Sequence, residues 1–485
     1  MSAMDVEHCL AQGSIAELRA HCLARRLSVE DAVRWYLARI SAISDSGPTI
    51  NAVRERSACA LQDARLADQA FAAGRDLGPL HGVPVLIKDN ILTADGMAAS
   101  AGCAALAGFR PARDATVVRL LRQAGAIVLG KTNLTELADY VSDVMPAGFS
   151  GVGGFVRNPH GMDYGRGQGS SVGSAAAVAA SLAMFAIGTE TQNSIQTPAA
   201  YSSVVGYKPS VGRVSCAGIF PLVSSQDTPG PITRSVADAS LVAAVIAGAK
   251  GPGMTASNCA GLAGMRIGVP RTQMANRPEF EHLMPLFEQC LSRLSLAGAT
   301  VVDPCDLPSA EQLQALRSCV FRTEFKAAFD SFLLQHQAPC GIASLQDLIA
   351  WNESHPDAIP YGQSLLLQAN ATLGLADPGY LADRALDLKL SDVDGIAAAL
   401  AAREVQALIV PMGAAAKCTG KAGAPVVTIP VGKDAAGVPF GLSVLASAGD
   451  DARLLAIAAA IEQIIGARQI PQLPRAASAH QLGRT

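Results

Sequence analysis

The spacing of apolar and polar positions divides the chain into short buried runs and longer amphipathic ones. Near the start, Ser14-Ile15-Ala16-Glu17 has the capping-box pattern, and Ser28-Val29-Glu30-Asp31 opens a second helix. Ala32, Val33, Tyr36, Leu37 and Ile40 then recur at helical spacing. With a further helix over Ser57–Ala73, residues 1–75 read as a helical layer. The period then changes. Val83–Ile87 is a continuous apolar run of strand length, Asp114–Ala124 a helix, Ala126–Leu129 a strand, and Leu134–Tyr140 another helix. Ser142–Pro159 is Gly-rich and predicts a long loop. Ser174–Ser181 predicts a helix of small residues, Met184–Gly188 and Val204–Tyr207 strands, and Ser235–Ala249 a buried helix.

Beyond Gly253 the pattern continues with a strand at Met265–Val269, a helix over Glu279–Ala297 and a strand at Ala299–Val302. Ala310 to about Leu375 is mostly helical, broken at Pro339 and Pro360. Ala407–Val410, Val426–Val431 and Phe440–Leu445 are strands, Asp450–Ile465 a closing helix, and the tail from Pro471 a loose end. Strands alternating with helices predict an α/β fold with a largely parallel sheet. No repeat or linker interrupts it. The expectation is one large domain over residues 1–485, with a core at 77–242 and a second half at 253–470.

Composition narrows the function. Half the residues are apolar and 16% are charged, which predicts a globular core. A net charge of −3 offers no basic footprint for nucleic acid. The N-terminal segment lacks signal-peptide regions, and no charge-free run is long enough for a membrane span. The eleven cysteines form no CxxC pair and the eight histidines no metal-binding spacing. We therefore expect a cytoplasmic protein with reduced thiols, no metal and no nucleic-acid partner.

The stretch Gly165–Arg213 is nearly uncharged and crowded with Gly, Ser and Ala. Its Gly167-x-Gly169 opening fails as a dinucleotide fingerprint, because Val172 stands where the third glycine belongs, and no Gly-Lys-Ser/Thr follows. Tight packing explains Ala175–Ala180 but not the hydroxyls of Ser170, Ser171 and Ser194. Nucleophilic catalysis needs a base beside a serine. No histidine stands in a GxSxG-like motif here, which leaves Lys88, at the end of the apolar Val83–Ile87 run, as a candidate. From its own segment, Lys88 reads first as a snorkelling side chain or as the ion-pair partner of Asp89. Spacing alone does not bring it to Ser194.

Three ordered motifs then resemble the amidase signature family. The first is His81-Gly82-Val83-Pro84-Val85-Leu86-Ile87-Lys88-Asp89-Asn90. The second runs from Gly169-Ser170-Ser171-x-Gly173-Ser174-Ala175 through Gly188-Thr189-Glu190-Thr191, Ser194-Ile195 and Gly206-Tyr207-Lys208-Pro209 to Gly212-Arg213-Val214-Ser215. The third is Ser225-Gln226-Asp227-Thr228-x-Gly230-Pro231, followed by Arg234-Ser235-Val236-Ala237-Asp238. Glu324-Phe325-Lys326-Ala327 and Gly374-Leu375-Ala376-Asp377-Pro378 are similar to the bacterial peptide amidase branch.

The resemblance implies the amidase signature fold, with a mixed, mostly parallel twisted sheet flanked by helices on both faces. It also implies a cofactor-free serine hydrolase that cleaves linear amides, among them peptide amides, anilides and carbamates. Ser194 would be the nucleophile, Ser170 a bridging serine after a cis peptide, and Lys88 a neutral base, with Ser171 supporting them. Thr191, Gln192, Asn193 and Ser194 would supply the main-chain N–H groups of an oxyanion hole. Gln192 and Asn193 stand where many members have glycine, and Gln196 replaces a common arginine. The segment Met412–Ala424 is short for the branch, which implies a wider pocket. Partners would be the substrate and, at most, a second copy. The rival readings are the amidase subunit of a tRNA-dependent amidotransferase and an impaired, amidase-like binding protein.

Overall fold

Eleven strands join edge to edge in the computed structural model, which describes residues 3–165, 167–254, 261–275, 277–337 and 341–473. In chain order the strands are β1 (Val53–Arg56), β2 (Pro84–Lys88), β3 (Ile127–Thr132), a small separate hairpin of β4 (Phe149–Ser150) and β5 (Gly154–Phe155), and β6 (Phe185–Glu190). They continue with β7 (Val205–Lys208), β8 (Thr228–Thr233), β9 (Arg266–Gly268), β10 (Thr300–Val302), β11 (Ala407–Pro411), β12 (Val426–Lys433) and β13 (Pro439–Leu445). The order across the sheet is β1-β3-β2-β6-β8-β7-β12-β13-β11-β9-β10.

The sheet is mixed and helix-covered, as expected, but its balance differs from the expectation. Parallel pairing is confined to two blocks, β3-β2-β6 and β11-β9-β10. The run from β6 through β8, β7, β12 and β13 to β11 is antiparallel throughout, as is the edge pair β1-β3. Antiparallel neighbours accept short connections, and only residues 434–438 separate β12 from β13. Two hydrophobic cores lie along the sheet. One gathers the N-terminal helices around β2, β3 and β6, and the other is built on β11, β12, β13 and the helix Asp451–Ile465.

Most predicted elements fall within a few residues of their expected bounds, and three differ. Leu134–Tyr140 is not a helix: only Glu136–Ala138 forms a 3-10 turn, with Leu137, Ala138 and Asp139 all at positive φ. The Leu137 N–H donates to the Ala101 carbonyl instead of closing a helical turn. Glu279–Ala297 splits into Pro278–Glu281 and Met284–Leu296. The expected loop 142–159 contains the β4-β5 hairpin. Pro360 lies in a turn between helices, whereas Pro339 and the tail beyond residue 473 are outside the described residues. Among those residues no helix is long and apolar enough to cross a membrane.

Candidate active site

Strand β2 lies between β3 and β6 and is buried along its whole length, so its last side chain, Lys88, is held inside the protein. The neighbouring strand β6 carries Gly188. A Cβ there would stand 2.8 Å from Ser171 Oγ, so the glycine lets the start of the helix Val172–Ala179 approach the strand. That approach delivers Ser170 and Ser171, which follow a cis Gly169–Ser170 peptide, to the lysine. Lys88 Nζ lies 2.7 Å from Ser170 Oγ, 2.9 Å from Ser171 Oγ and 2.9 Å from Thr189 Oγ1. Ser171 Oγ donates to the Thr189 carbonyl at 3.1 Å, and Asn90 Nδ2 donates to Thr189 Oγ1 at 3.0 Å.

Burial disfavours the ammonium form and brings the Lys88 pKa down to about 7, against weaker opposing pulls from Glu190, Asp227 and Asp139. The amine is therefore substantially neutral near neutral pH. Pairing with Asp89 does not occur, because that carboxylate accepts from Arg54 at 2.7 Å and from Ser100 Oγ at 2.6 Å. Two other lysines, Lys131 and Lys208, are equally buried, and burial brings each down to about 8. Their Nζ atoms donate to main-chain carbonyls, of Ile91 and of Ala424 respectively. Among the described residues, Lys88 is the buried lysine that faces serine hydroxyls. An amine of lowered pKa against a hydroxyl can take up its proton.

Ser194 sits in the turn between β6 and the helix Gln196–Tyr201. Glu190, the last residue of β6, holds this turn: its carboxylate accepts from the main-chain N–H of Ile195 and Gln196 and from the Gln196 side chain. Burial raises the Glu190 pKa, and the nearby Lys208 ammonium opposes that rise. The Ser171 N–H donates to the Ser194 carbonyl at 3.0 Å, which ties the two serine-bearing segments together. Lys88, Ser170 and Ser171 are fully buried, whereas Ser194 keeps 5% of its surface exposed. Of the three serines, Ser194 alone has any exposed surface.

The other expected residues, Thr191, Gln192 and Asn193, complete the same turn. Thr191 Oγ1 donates to Asp227, whose carboxylate also accepts from the Leu222 and Val223 N–H groups. Burial still pushes Asp227 up to about 6. Gln192 Nε2 points to Gln226 Oε1 at 3.4 Å, and Asn193 Nδ2 donates to the Gly167 carbonyl at 2.6 Å. Both side chains are thus turned onto neighbours. Among the described residues, no acceptor is paired with the main-chain N–H of Thr191, Gln192, Asn193 or Ser194. The helix Ala416–Ala422 closes on the turn, and a Cβ at Gly420 would lie 2.6 Å from the Thr191 carbonyl oxygen. A cavity of about 550 Å³ opens beside Thr189, Thr191 and Asp227 and extends to Phe332 and His336. A second, of about 200 Å³, lies at Gln192 and Gln226.

Sequence reasoning named all seven of these residues and missed their supports, Thr189, Asn90, Glu190, Asp227 and Gly420. The first four stand inside the quoted motifs, but their partners come from other segments, and spacing does not reveal them. No group of three or more His, Cys, Asp or Glu side chains among the described residues could hold a metal ion.

Fold and motifs together define a class. The amidase family model matches residues 31–414, and the chain belongs to the amidase signature family. It is an amidohydrolase acting on amides. Its fold is similar to that of the peptide amidase from Stenotrophomonas maltophilia, with 41% identity, a TM-score of 0.87, and coverage of 96% of this chain and 99% of that one. It is 33% identical to a mandelamide hydrolase of Pseudomonas putida over 94% of this chain and 92% of that protein. It is 34% identical to a glutamyl-tRNA(Gln) amidotransferase subunit from Myxococcus xanthus over 93% and 96% of the two chains.

Proposed function

We propose that the protein hydrolyses linear amides, with peptide amides, anilides and carbamates as the substrate range, through an acyl-enzyme on Ser194. The observation that carries this reading is the buried Lys88 amine 2.7 Å from Ser170 Oγ, with a pKa of about 7. Neutral Lys88 takes the Ser170 proton as Ser170 takes that of Ser194, and Ser194 Oγ attacks the substrate carbonyl carbon. The unpaired N–H groups of residues 191–194 receive the oxyanion; each such donor is typically worth about 10²–10³ in rate. Ser170 returns the proton to the leaving nitrogen and is itself reprotonated by Lys88. Water, deprotonated by the same relay, then releases the acid from Ser194.

A peptide amidase and a mandelamide hydrolase among the similar proteins support an amide substrate with a nitrogen leaving group. The packing of Gly420 on the turn supports a pocket shaped by the second half of the chain. The identity to amidotransferase subunits favours a second reading, in which the chain releases ammonia from glutamine within a complex. Hydrolysis of a panel of amides, anilides, esters and carbamates, with Ser194→Ala as blank, tests the first. Turnover of glutamine alone, dependent on tRNA and partner subunits, would establish the second.

A further inference from the structure

The cavity of about 200 Å³ beside the catalytic turn is unusual in its charge. It touches the turn through Gln192 and its neighbour Gln226, and its lining also includes Arg317, Lys417, Lys421 and Asp387. Three cations face one carboxylate. Asp387 is committed: it is ion-paired with Lys421 and accepts from Ser318 Oγ at 2.7 Å. Arg317 points a guanidinium nitrogen at the closing carbonyls of its own helix, and among the described residues no ion pair joins it to an acid. Among the described residues, no ion pair or hydrogen bond fixes Lys417. Partial burial lowers its pKa, and the positive charges of Lys421 and Arg317 lower it further against the single pull of Asp387. Glu324, three residues beyond the lining Phe321, is engaged elsewhere, accepting from the Ser225 N–H and from the Tyr380 hydroxyl.

A solvent-connected recess with excess positive charge and a free ammonium is built to receive an anion. Its position fixes which anion matters. Gln192 belongs both to the recess and to the turn that carries Ser194, and the helix Ala416–Ala422 that supplies Lys417 and Lys421 is the one packed on that turn at Gly420. We propose that this recess is a substrate subsite for a carboxylate, so that amides bearing an acidic group near the scissile bond are preferred over neutral isosteres. This rests on the amide-hydrolase reading. The carboxylate displaces water from Lys417 and Arg317, and the side-chain amides of Gln192 and Gln226 offer hydrogen bonds to its remaining lone pairs.

The test compares two blocked dipeptide amides that differ only in Glu against Gln beside the terminal amide. The Glu peptide should have the higher kcat/KM by about fivefold at low salt, the upper range for a partly exposed ion pair. Added salt should erode the ratio. Lys417→Gln should bring it close to one, and Lys417→Glu should invert it. Equal kcat/KM for the two peptides, or a preference unmoved by either substitution, would overturn the subsite. Inactivity towards both peptides would instead count against amide hydrolysis. For that reason the same pair is titrated calorimetrically onto the Ser194→Ala protein. Tighter binding of the Glu peptide, weakened by Lys417→Gln, supports the subsite on its own, and equal binding overturns it.

Discussion

Ser171→Ala isolates the electrostatics of the lysine without touching the proposed nucleophile or relay. Ser171 Oγ accepts from Lys88 Nζ at 2.9 Å and, at 3.3 Å, from the Thr189 N–H, while its own proton is given to the Thr189 carbonyl. Its hydroxyl is therefore an acceptor for the lysine. An acceptor stabilises ammonium more than amine: hydrogen bonds to charged groups contribute about 1.5–3 kcal/mol and those to neutral groups about 0.5–1.5. The difference, about 1 kcal/mol, corresponds to about 0.7 of a pKa unit at 1.36 kcal/mol per unit. Removing the hydroxyl should move the Lys88 pKa downward from about 7 by that amount.

Activity requires the neutral amine, so kcat/KM of the native enzyme should fall as pH drops through about 7. In Ser171→Ala this acid limb should shift to lower pH, while the plateau falls about tenfold because Lys88 is less firmly positioned. The assay is the pH dependence of kcat/KM on a chromogenic anilide. Ser174→Ala serves as control, since that hydroxyl meets Thr132 Oγ1 and the Ile187 carbonyl. Its acid limb should stay in place. An acid limb that is unmoved or raised in Ser171→Ala would refute the assignment of Lys88 as the titrating base.

Other substitutions probe the supports. Glu190→Ala leaves the N–H groups of Ile195 and Gln196 unpaired, at about 1–3 kcal/mol each, so the denaturation midpoint should fall together with kcat by about 10² or more. Unchanged kcat would show that the turn is held elsewhere. Gly420→Ala forces a Cβ to 2.6 Å from the Thr191 carbonyl oxygen; steady-state kinetics should show a loss of kcat of about tenfold. Asp227→Asn removes a negative charge that raises the Lys88 pKa, so the acid limb should move to lower pH, and a rise would contradict the charge arrangement.

The fold class was legible in the sequence, and the candidate site residues could be named there, but the direction of several strands could not. Lys88, Ser170, Ser171 and Ser194 stand in motifs whose hydroxyls tight packing does not call for, and Gly188 is small because Ser171 must approach it. Strand β8 escaped because Pro229 and Pro231 argue against a central strand. They are tolerated at alternate positions, opposite Thr189 and Ile187, where the pairing with β6 asks no donor of them. Leu134–Tyr140 misled because its apolar spacing serves loop packing, with three successive residues in left-handed conformation. The antiparallel centre of the sheet was invisible for a third reason: strand direction depends on which segments become neighbours, and local periodicity does not carry that information.

In the proposed mechanism Ser194 is the nucleophile, made reactive by Ser170 and Lys88. Treatment with a fluorophosphonate, followed by peptide mapping, tests it most directly. A single adduct on Ser194 is expected, absent in Ser194→Ala, strongly slowed in Lys88→Ala and Ser170→Ala, and rising in rate with pH through about 7. An adduct on another residue, or labelling of Ser194 at an undiminished rate without Lys88, would rule out this Ser194–Ser170–Lys88 relay.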